Sequence, residues 1–260
     1  ASAAVRAAAA GCQPLNLFGQ NRFSAAAKAY SFGTSEQRTR FQQHVAAANL
    51  TGERFDFGSG PVSIAVGGEY RSERVSGTAD SISLTNGFYI ANASSFGPET
   101  ISIVEGYVET VVPLLRDMPG AELLEFNGAI RRTHYSTSGS VTTWKLGGIY
   151  EPIGGVRFRG TRSRDIRAPN AAELYSPLVA YQGSIFDTSN SSQVLARVFR
   201  GGNQSLRPEV ADTYTAGVVL QPRMIPGLRF SADYYDIEIR DAIDLVGAQV
   251  ITDRCNLGGS

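Results

Sequence analysis

Apolar or small side chains recur at every second position in eight stretches of the chain: 44–56, 61–73, 101–112, 122–136, 141–151, 156–165, 211–222 and 227–240. A period of two puts alternate side chains on opposite faces of an extended strand, so each stretch predicts a β-strand with one apolar and one polar face. In 61–73, Val62, Ile64, Val66 and Tyr70 share one face and Ser63, Ala65, Glu69 and Arg71 the other. In 141–151, Trp144, Leu146 and Tyr150 oppose Thr143 and Lys145; in 156–165, Val156 and Phe158 oppose Arg157, Arg159, Thr161 and Ser163. Strands of soluble domains cluster near 5–6 residues, whereas a bilayer-crossing strand needs about 9–11 at a steep tilt. These stretches have the longer length.

The connections alternate in size. FGSG (57–60), PLLRDMPGA (113–121), PIGG (152–155) and PRMIP (222–226) predict turns rich in Pro and Gly, whereas 74–100 and 166–210 are long, polar and without a predicted element. Only 137–140 is brief on that second side. Loops of this length are rare in compact soluble domains, while short turns at one end and long loops at the other suit a membrane barrel. Residues 1–43 and 241–260 fall on the loop side. The expected architecture is all-β: one curved antiparallel sheet of about eight strands in meander order, forming a transmembrane β-barrel wall.

Composition removes several alternatives. The 24 basic and 24 acidic residues cancel, which excludes the basic excess of a nucleic-acid-binding protein. No apolar run reaches the ~20 residues of a membrane helix. ASAAVRAAAAGC at the start is interrupted by Arg6 and reads as a loop or flank rather than a secretion signal. Cys12 and Cys255 belong to no CxxC or His-containing cluster, so they carry no zinc signature. They are equally consistent with one mutual disulfide in an oxidising compartment and with pairing outside this chain.

The strand 156–165 runs into SRDIRAP, where Arg164, Asp165 and Arg167 crowd five positions and Pro169 ends ladder pairing. RGTRSRDIRAPNAAELYSP, followed by NQSLRPEVADTYTAGVVLQPRMIPGLRFSADYYDIEIRDAI, resembles the barrel of TonB-dependent outer-membrane receptors. GPVSIAVGGEYR, VEGYVETVVPLLRDMPGAELLEFNGAIRRTHYS and CQPLNLFG are similar to the same family. The resemblance covers most of residues 11–260. Such receptors resemble barrels of about 22 strands with a plugged lumen, so residues 1–260 are expected to be a partial barrel from its middle to later part, with the plug and the remaining strands lying outside. The resemblance implies an outer-membrane location in a Gram-negative bacterium. It also implies contact with outer-membrane lipid, a TonB complex acting through the plug, and a small nutrient ligand of the siderophore-iron, cobalamin or carbohydrate class. It implies no cofactor.

Candidate residues fall into three groups. Glu69, Arg71, Glu105, Glu109, Lys145, Arg157 and Arg159 lie on the polar face, where they brace the lumen by ion pairs or face a plug or passing substrate. Arg164, Asp165, Arg167 and Pro169 mark the rim, and an ion-pair network there is favoured over ligand contact. Phe88, Tyr89 and Phe96 in the first long loop, and Tyr175, Tyr181, Phe186 and Phe199 in the second, either pack within folded loops or stack on ligand. Trp144, Tyr150, Phe126, Phe158 and Phe230 fit a lipid-facing band or girdle. His44 and His134 sit in different strands without a neighbouring Ser or Cys motif, which leaves a catalytic or metal-binding group without support. The chain reads as a transporter rather than an enzyme. The competing classes are a passive pore or surface adhesin on a similar barrel, and an outer-membrane hydrolase, for which no Ser/His or Asp/His pair is seen.

Overall fold

Long runs of alternating side chains with few helix formers leave the chain one economical way to satisfy its backbone, which is to ladder strand on strand. The computed structural model describes residues 11–13, 15, 16, 18, 19, 23–89, 92–256 and 258. Its main sheet has eight strands in the order β1 (Gln37–Asp56), β2 (Pro61–Ala79), β3 (Phe96–Met118), β4 (Ala121–Tyr135), β5 (Gly139–Ile153), β6 (Val156–Arg167), β9 (Glu209–Leu220) and β10 (Phe230–Arg240). The inserted β7 (Val179–Asp187) and β8 (Ser192–Arg200) form a separate antiparallel hairpin. Each of the eight predicted strands is present, and each neighbours the next predicted one, as a meander requires.

Two predicted features need correction. The loops 74–100 and 166–210 are not structureless. β2 and β3 extend into the first, which also holds a short helix at Ser81–Leu84, while the second holds a helix at Ala171–Tyr175 and the β7–β8 hairpin. The predicted turn 113–121 shrinks to Pro119 and Gly120, because β3 shifts register between Pro113 and Leu115 and continues to Met118. A bulge lets a strand carry a proline without ending its ladder.

The contacts divide the chain into two units, 1–40 with 76–96, and 41–75 with 97–260. In the first, α1 (Ala25–Ser31) is capped by Ser24, whose Oγ accepts from the Ala27 N–H at 3.1 Å. The helix α2 (Ser81–Leu84) is capped by Asp80, whose carboxylate accepts from the Ser83 hydroxyl at 2.6 Å and from the N–H groups of Glu36, Ser83 and Ile82 at 2.9–3.0 Å. Those donors, the Ser83 hydroxyl first, lower the Asp80 pKa from 3.8 to about 2. A depressed carboxylate stabilises the fold above its unfolded pKa and ceases to as pH falls through the folded one. Amide-exchange protection at Ile82 and Ser83 is therefore expected to hold at pH 5 and to fall between pH 3.8 and about 2. Protection unchanged down to pH 2 would remove Asp80 as the cap.

In the second unit, cross-strand register fixes the faces, because directly opposed residues share one. Phe126, Gly148, Gly160, Ala216 and Tyr234 form one row, and Tyr150, Phe158, Val218 and Ala232 the next. The Tyr150 and Phe158 rings stack with centroids 6.5 Å apart. Phe126, Ile130, Leu146, Tyr150, Phe158, Tyr214 and Phe230 all remain solvent-exposed on this face. On the opposite face Glu109, Ala129, Lys145, Ser163 and Thr213 align, as do Glu125, Ile149, Arg159, Gly217 and Asp233. Little is buried: the chain exposes 18270 Å², where a soluble monomer of 27.8 kDa exposes about 11,000 Å². A small cluster of Ile101, Ile103 and Leu174, flanked by Tyr135, Ala171, Tyr175 and Leu206, seats α3 (Ala171–Tyr175) at the loop-side end of the polar face.

Candidate functional site

The polar face is a wall of paired and unpaired charges. On β2, Arg71 donates to Glu69 at 2.9 and 2.5 Å. On β3 and β4, the Glu105 carboxylate accepts from Arg131 at 3.1 Å and from the Thr133 hydroxyl at 3.3 Å, while the Arg131 guanidinium stands 5.0 Å from the Tyr107 ring centroid. The Tyr107 hydroxyl reaches across β2 to Asn49 Oδ1 at 2.8 Å. That reach needs a strand without a side chain at the crossing: a Cβ on Gly67 would lie 2.7 Å from the Tyr107 ring. Glu105, Tyr107, Glu109, Arg131, Thr133, Thr143, Lys145 and Asp165 line a concavity of about 350 Å³. Glu109 and Lys145 make no ion pair among the described residues. Toward the turns, Arg157 donates to Glu151 at 3.0 and 3.2 Å, and Arg159 grips Asp233 bidentately at 2.8 and 2.6 Å.

At the loop-side rim, the arginines of SRDIRAP meet acids brought beside them by β9. Arg164 and Asp212 are register partners and bond bidentately at 2.8 and 2.9 Å; Arg240 also bonds Asp212. Arg167 pairs in register with Glu209 through two bonds of 2.8 Å and reaches Glu173 at 3.0 Å. Asp165 accepts from Ser163 at 2.8 Å instead. Asn170 and Glu173 form a capping box on α3, which follows the buried Pro169. Thus the rim charges tie strand ends to the first turn of the long loop. Sequence reasoning missed Glu209, Asp212 and Asp233, because their pairing depends on β6 meeting β9, and β9 meeting β10, across the inserted hairpin; it missed Glu173 because the helix α3 that carries it was read as loop. EVAD at 209–212, read antiparallel against RDIR at 164–167, carries the complementary charges.

The loop aromatics divide by surroundings. Phe88 packs close to Gly33 and Ile82, Phe96 packs over Gly77, and Tyr175 joins the Ile101 cluster. Tyr89, Tyr181, Phe186 and Phe199 are exposed. Register puts Phe186 and Phe199 on one face of the hairpin and Tyr181 on the other; the Arg197 guanidinium lies 5.2 Å from the Phe199 ring. The hairpin's outer edge is occupied by a side chain from α4 (Ala248–Asn256): Gln249 accepts from the Phe186 N–H and donates to its carbonyl, both at 2.8 Å. Beside it a concavity of about 670 Å³ opens between Glu173, Asn203, Arg200 and Ile243. His44 is exposed on β1, and His134 Nδ1 lies 2.9 Å from Ser140 Oγ. Cys12 and Cys255 are both exposed, free thiols. No described helix is long and apolar enough to cross a membrane, which leaves strand crossing untouched.

A siderophore receptor, PirA, from Acinetobacter baumannii is similar in structure, with a TM-score of 0.56 and 18% identity over 79% of this chain and 28% of its own. A mutant of the ferric enterobactin receptor PfeA from Pseudomonas aeruginosa, in complex with enterobactin, gives 0.55 and 19% over 78% of this chain and 27% of its own. PirA from Pseudomonas aeruginosa gives 0.56 and 18% over 78% and 33%. At such identity these likenesses speak for the fold, and the chain spans about a third or less of each of these structures. Comparison with curated proteins gives no match. The family described as "TonB dependent receptor-like, beta-barrel" matches residues 10–259, nearly the whole length. With its long antiparallel strands, its exposed apolar face and its charged opposite face, the chain belongs to the β-barrel family of TonB-dependent receptors.

Proposed function

We propose that the full-length protein imports a scarce nutrient across the outer membrane of a Gram-negative bacterium, drawing energy through TonB, and that residues 1–260 supply part of a barrel of about 22 strands. The observation that carries this reading is the two-faced wall of a family match spanning residues 10–259. One face is apolar and exposed; the other bears charges in excess of their partners. Glu69, Arg71, Glu105, Glu109, Lys145, Arg157 and Arg159 then face the plug. Glu109 and Lys145, free of ion pairs within the wall, are the side chains available to hold it by contacts that can be released. Tyr181, Phe186 and Phe199, exposed on a braced hairpin, are the aromatics placed to stack on ligand, with Tyr89 of the first long loop, also exposed. Siderophore-iron leads over cobalamin and carbohydrate, since the structural neighbours named above are siderophore receptors. The protein's role is transport, without a catalytic group.

Uptake of radiolabelled ferric siderophores, cobalamin and maltooligosaccharides by cells with and without the gene, each in tonB-positive and tonB-deleted backgrounds, tests this. Loss of one uptake on either deletion supports the reading. Gene-dependent uptake that survives loss of TonB would identify a passive pore, and cell adhesion lost without any uptake change would identify an adhesin.

A further inference from the structure

Near its loop-side end the exposed apolar face carries an arginine that no acid among the described residues neutralises. Arg162 shares a row with Leu146 and Tyr214. Its guanidinium lies 5.5 Å from the Trp144 ring centroid and 4.9 Å from that of Tyr214. Among the described residues it makes no ion pair, in contrast to Arg157, Arg159, Arg164 and Arg167 on the same strand, each matched by a carboxylate. On β4, one row beyond that of Trp144, Arg132 is exposed on this face and, among the described residues, donates only to Thr142, at 2.7 Å. Arg164 lies in the Trp144 row, between the rows of Arg162 and Arg132, and shares Asp212 with Arg240. The β4–β6 part of the face thus presents Arg132, Arg162 and Arg164 against one shared carboxylate. The acids of this face without ion pairs, Asp236 and Glu238, stand on β10, two strands from β6, or roughly 10 Å away.

Trp and Tyr concentrate at the level where hydrocarbon gives way to headgroups, and a long cationic side chain near that level turns its charge outward while its stem and planar face stay on apolar surface. Set against two aromatic rings, the Arg162 guanidinium has no hydrogen-bond partner among the described residues, and its fork of N–H donors suits a phosphate. We propose that Arg162, held by Trp144 and Tyr214 and assisted by Arg132, docks the phosphate of a lipid headgroup in the leaflet on the loop side. The rows below it suit the acyl chains: Phe126, Tyr150 and Phe158 continue the same face toward the turns. This inference rests on the membrane reading above.

The test uses the full-length receptor in dodecyl maltoside, incubated with bisphosphorylated lipid A or its dephosphorylated form and read by native mass spectrometry. Retention of the phosphorylated lipid is expected to fall about fivefold or more in Arg162→Ala and less in Arg162→Lys, which keeps the charge but loses the stacked fork. Equal retention by wild type and Arg162→Ala, or equal retention of the phosphate-free lipid, would overturn the proposal. Displacement by millimolar inorganic phosphate would also do so, by revealing a free-anion site. Heat-modifiable migration of wild type and variants reads the barrel separately. Its loss in wild type would take the membrane reading down, whereas its presence without lipid retention would remove this inference alone.

Discussion

Expressed without detergent, residues 1–260 are expected to aggregate rather than give a soluble monomer. The sheet runs from β1 to β10, and each of these strands has one edge without a ladder partner in it. Every residue of both strands is exposed. Unpaired edges recruit other strands, and unsatisfied backbone groups cost several kcal/mol each in hydrocarbon, where closed barrels persist and open sheets do not. The apolar face adds a second surface for association, with Leu146 49%, Phe158 47% and Phe230 56% exposed. The full-length receptor, its edges closed, is expected to be extractable in detergent and to shift on gels when heated. Light scattering and gel filtration decide the matter: a monodisperse, cooperatively unfolding monomer of residues 1–260 in plain buffer would mean a self-contained β domain.

The second large effect is expected from the smallest substitution. Gly202 lies where the returning loop crosses α3; its N–H donates to the Ser176 carbonyl at 2.8 Å, and the next N–H, from Asn203, donates to the Glu173 carbonyl at 2.8 Å. A Cβ there would fall 2.5 Å from the Leu174 carbonyl oxygen and 2.7 Å from the Tyr175 nitrogen. Those are backbone atoms, which cannot swing aside as a side chain does. Gly202→Ala must therefore lift the loop from α3 at a cost of roughly 1–3 kcal/mol, typical of overpacking. It should break both hydrogen bonds and loosen Leu174 from Ile101 and Ile103. Hydrogen exchange is expected to accelerate at Leu174, Ser176, Gly202 and Asn203 while β4 and β5 stay protected. Unchanged exchange at these amides would show that the close approach does not hold the loop.

The contrast between sheet and loop shows what a linear pattern carries. Trp144, Leu146, Tyr150 and Phe158 declared their face through spacing alone, because period two is a local property of a strand. The ends of the strands did not. Gln37–Gln43, Arg74–Ala79 and Leu114–Met118 alternate too weakly, or hold polar residues on both faces, yet they stay in the ladder because neighbouring strands supply hydrogen bonds that ignore side-chain type. The β7–β8 hairpin carries alternation of its own, with Val179, Tyr181 and Ile185 on one face. It was hidden because 166–210 had to act as one connection in the up-and-down count. The rim acids stayed hidden for a different reason. Arg167 meets Glu209 across a separation of 42 positions, and the Gln249 clasp on Phe186 spans 63. No local signal announces such pairs.

Strands that cross a bilayer leave their turns on one side and their loops on the other. Cysteine labelling from outside intact cells tests this arrangement most directly, using sites so exposed that burial cannot mask the answer. Phe57 and Met224, 75% and 91% exposed, lie in the β1–β2 and β9–β10 connections; Leu178 and Leu195, 71% and 70% exposed, lie between β6 and β9. With each changed singly to Cys in the full-length protein, a membrane-impermeant maleimide is expected to label positions 178 and 195 and to spare 57 and 224 until the outer membrane is opened. Equal labelling of all four in intact cells, or labelling of 57 and 224 alone, would contradict the account.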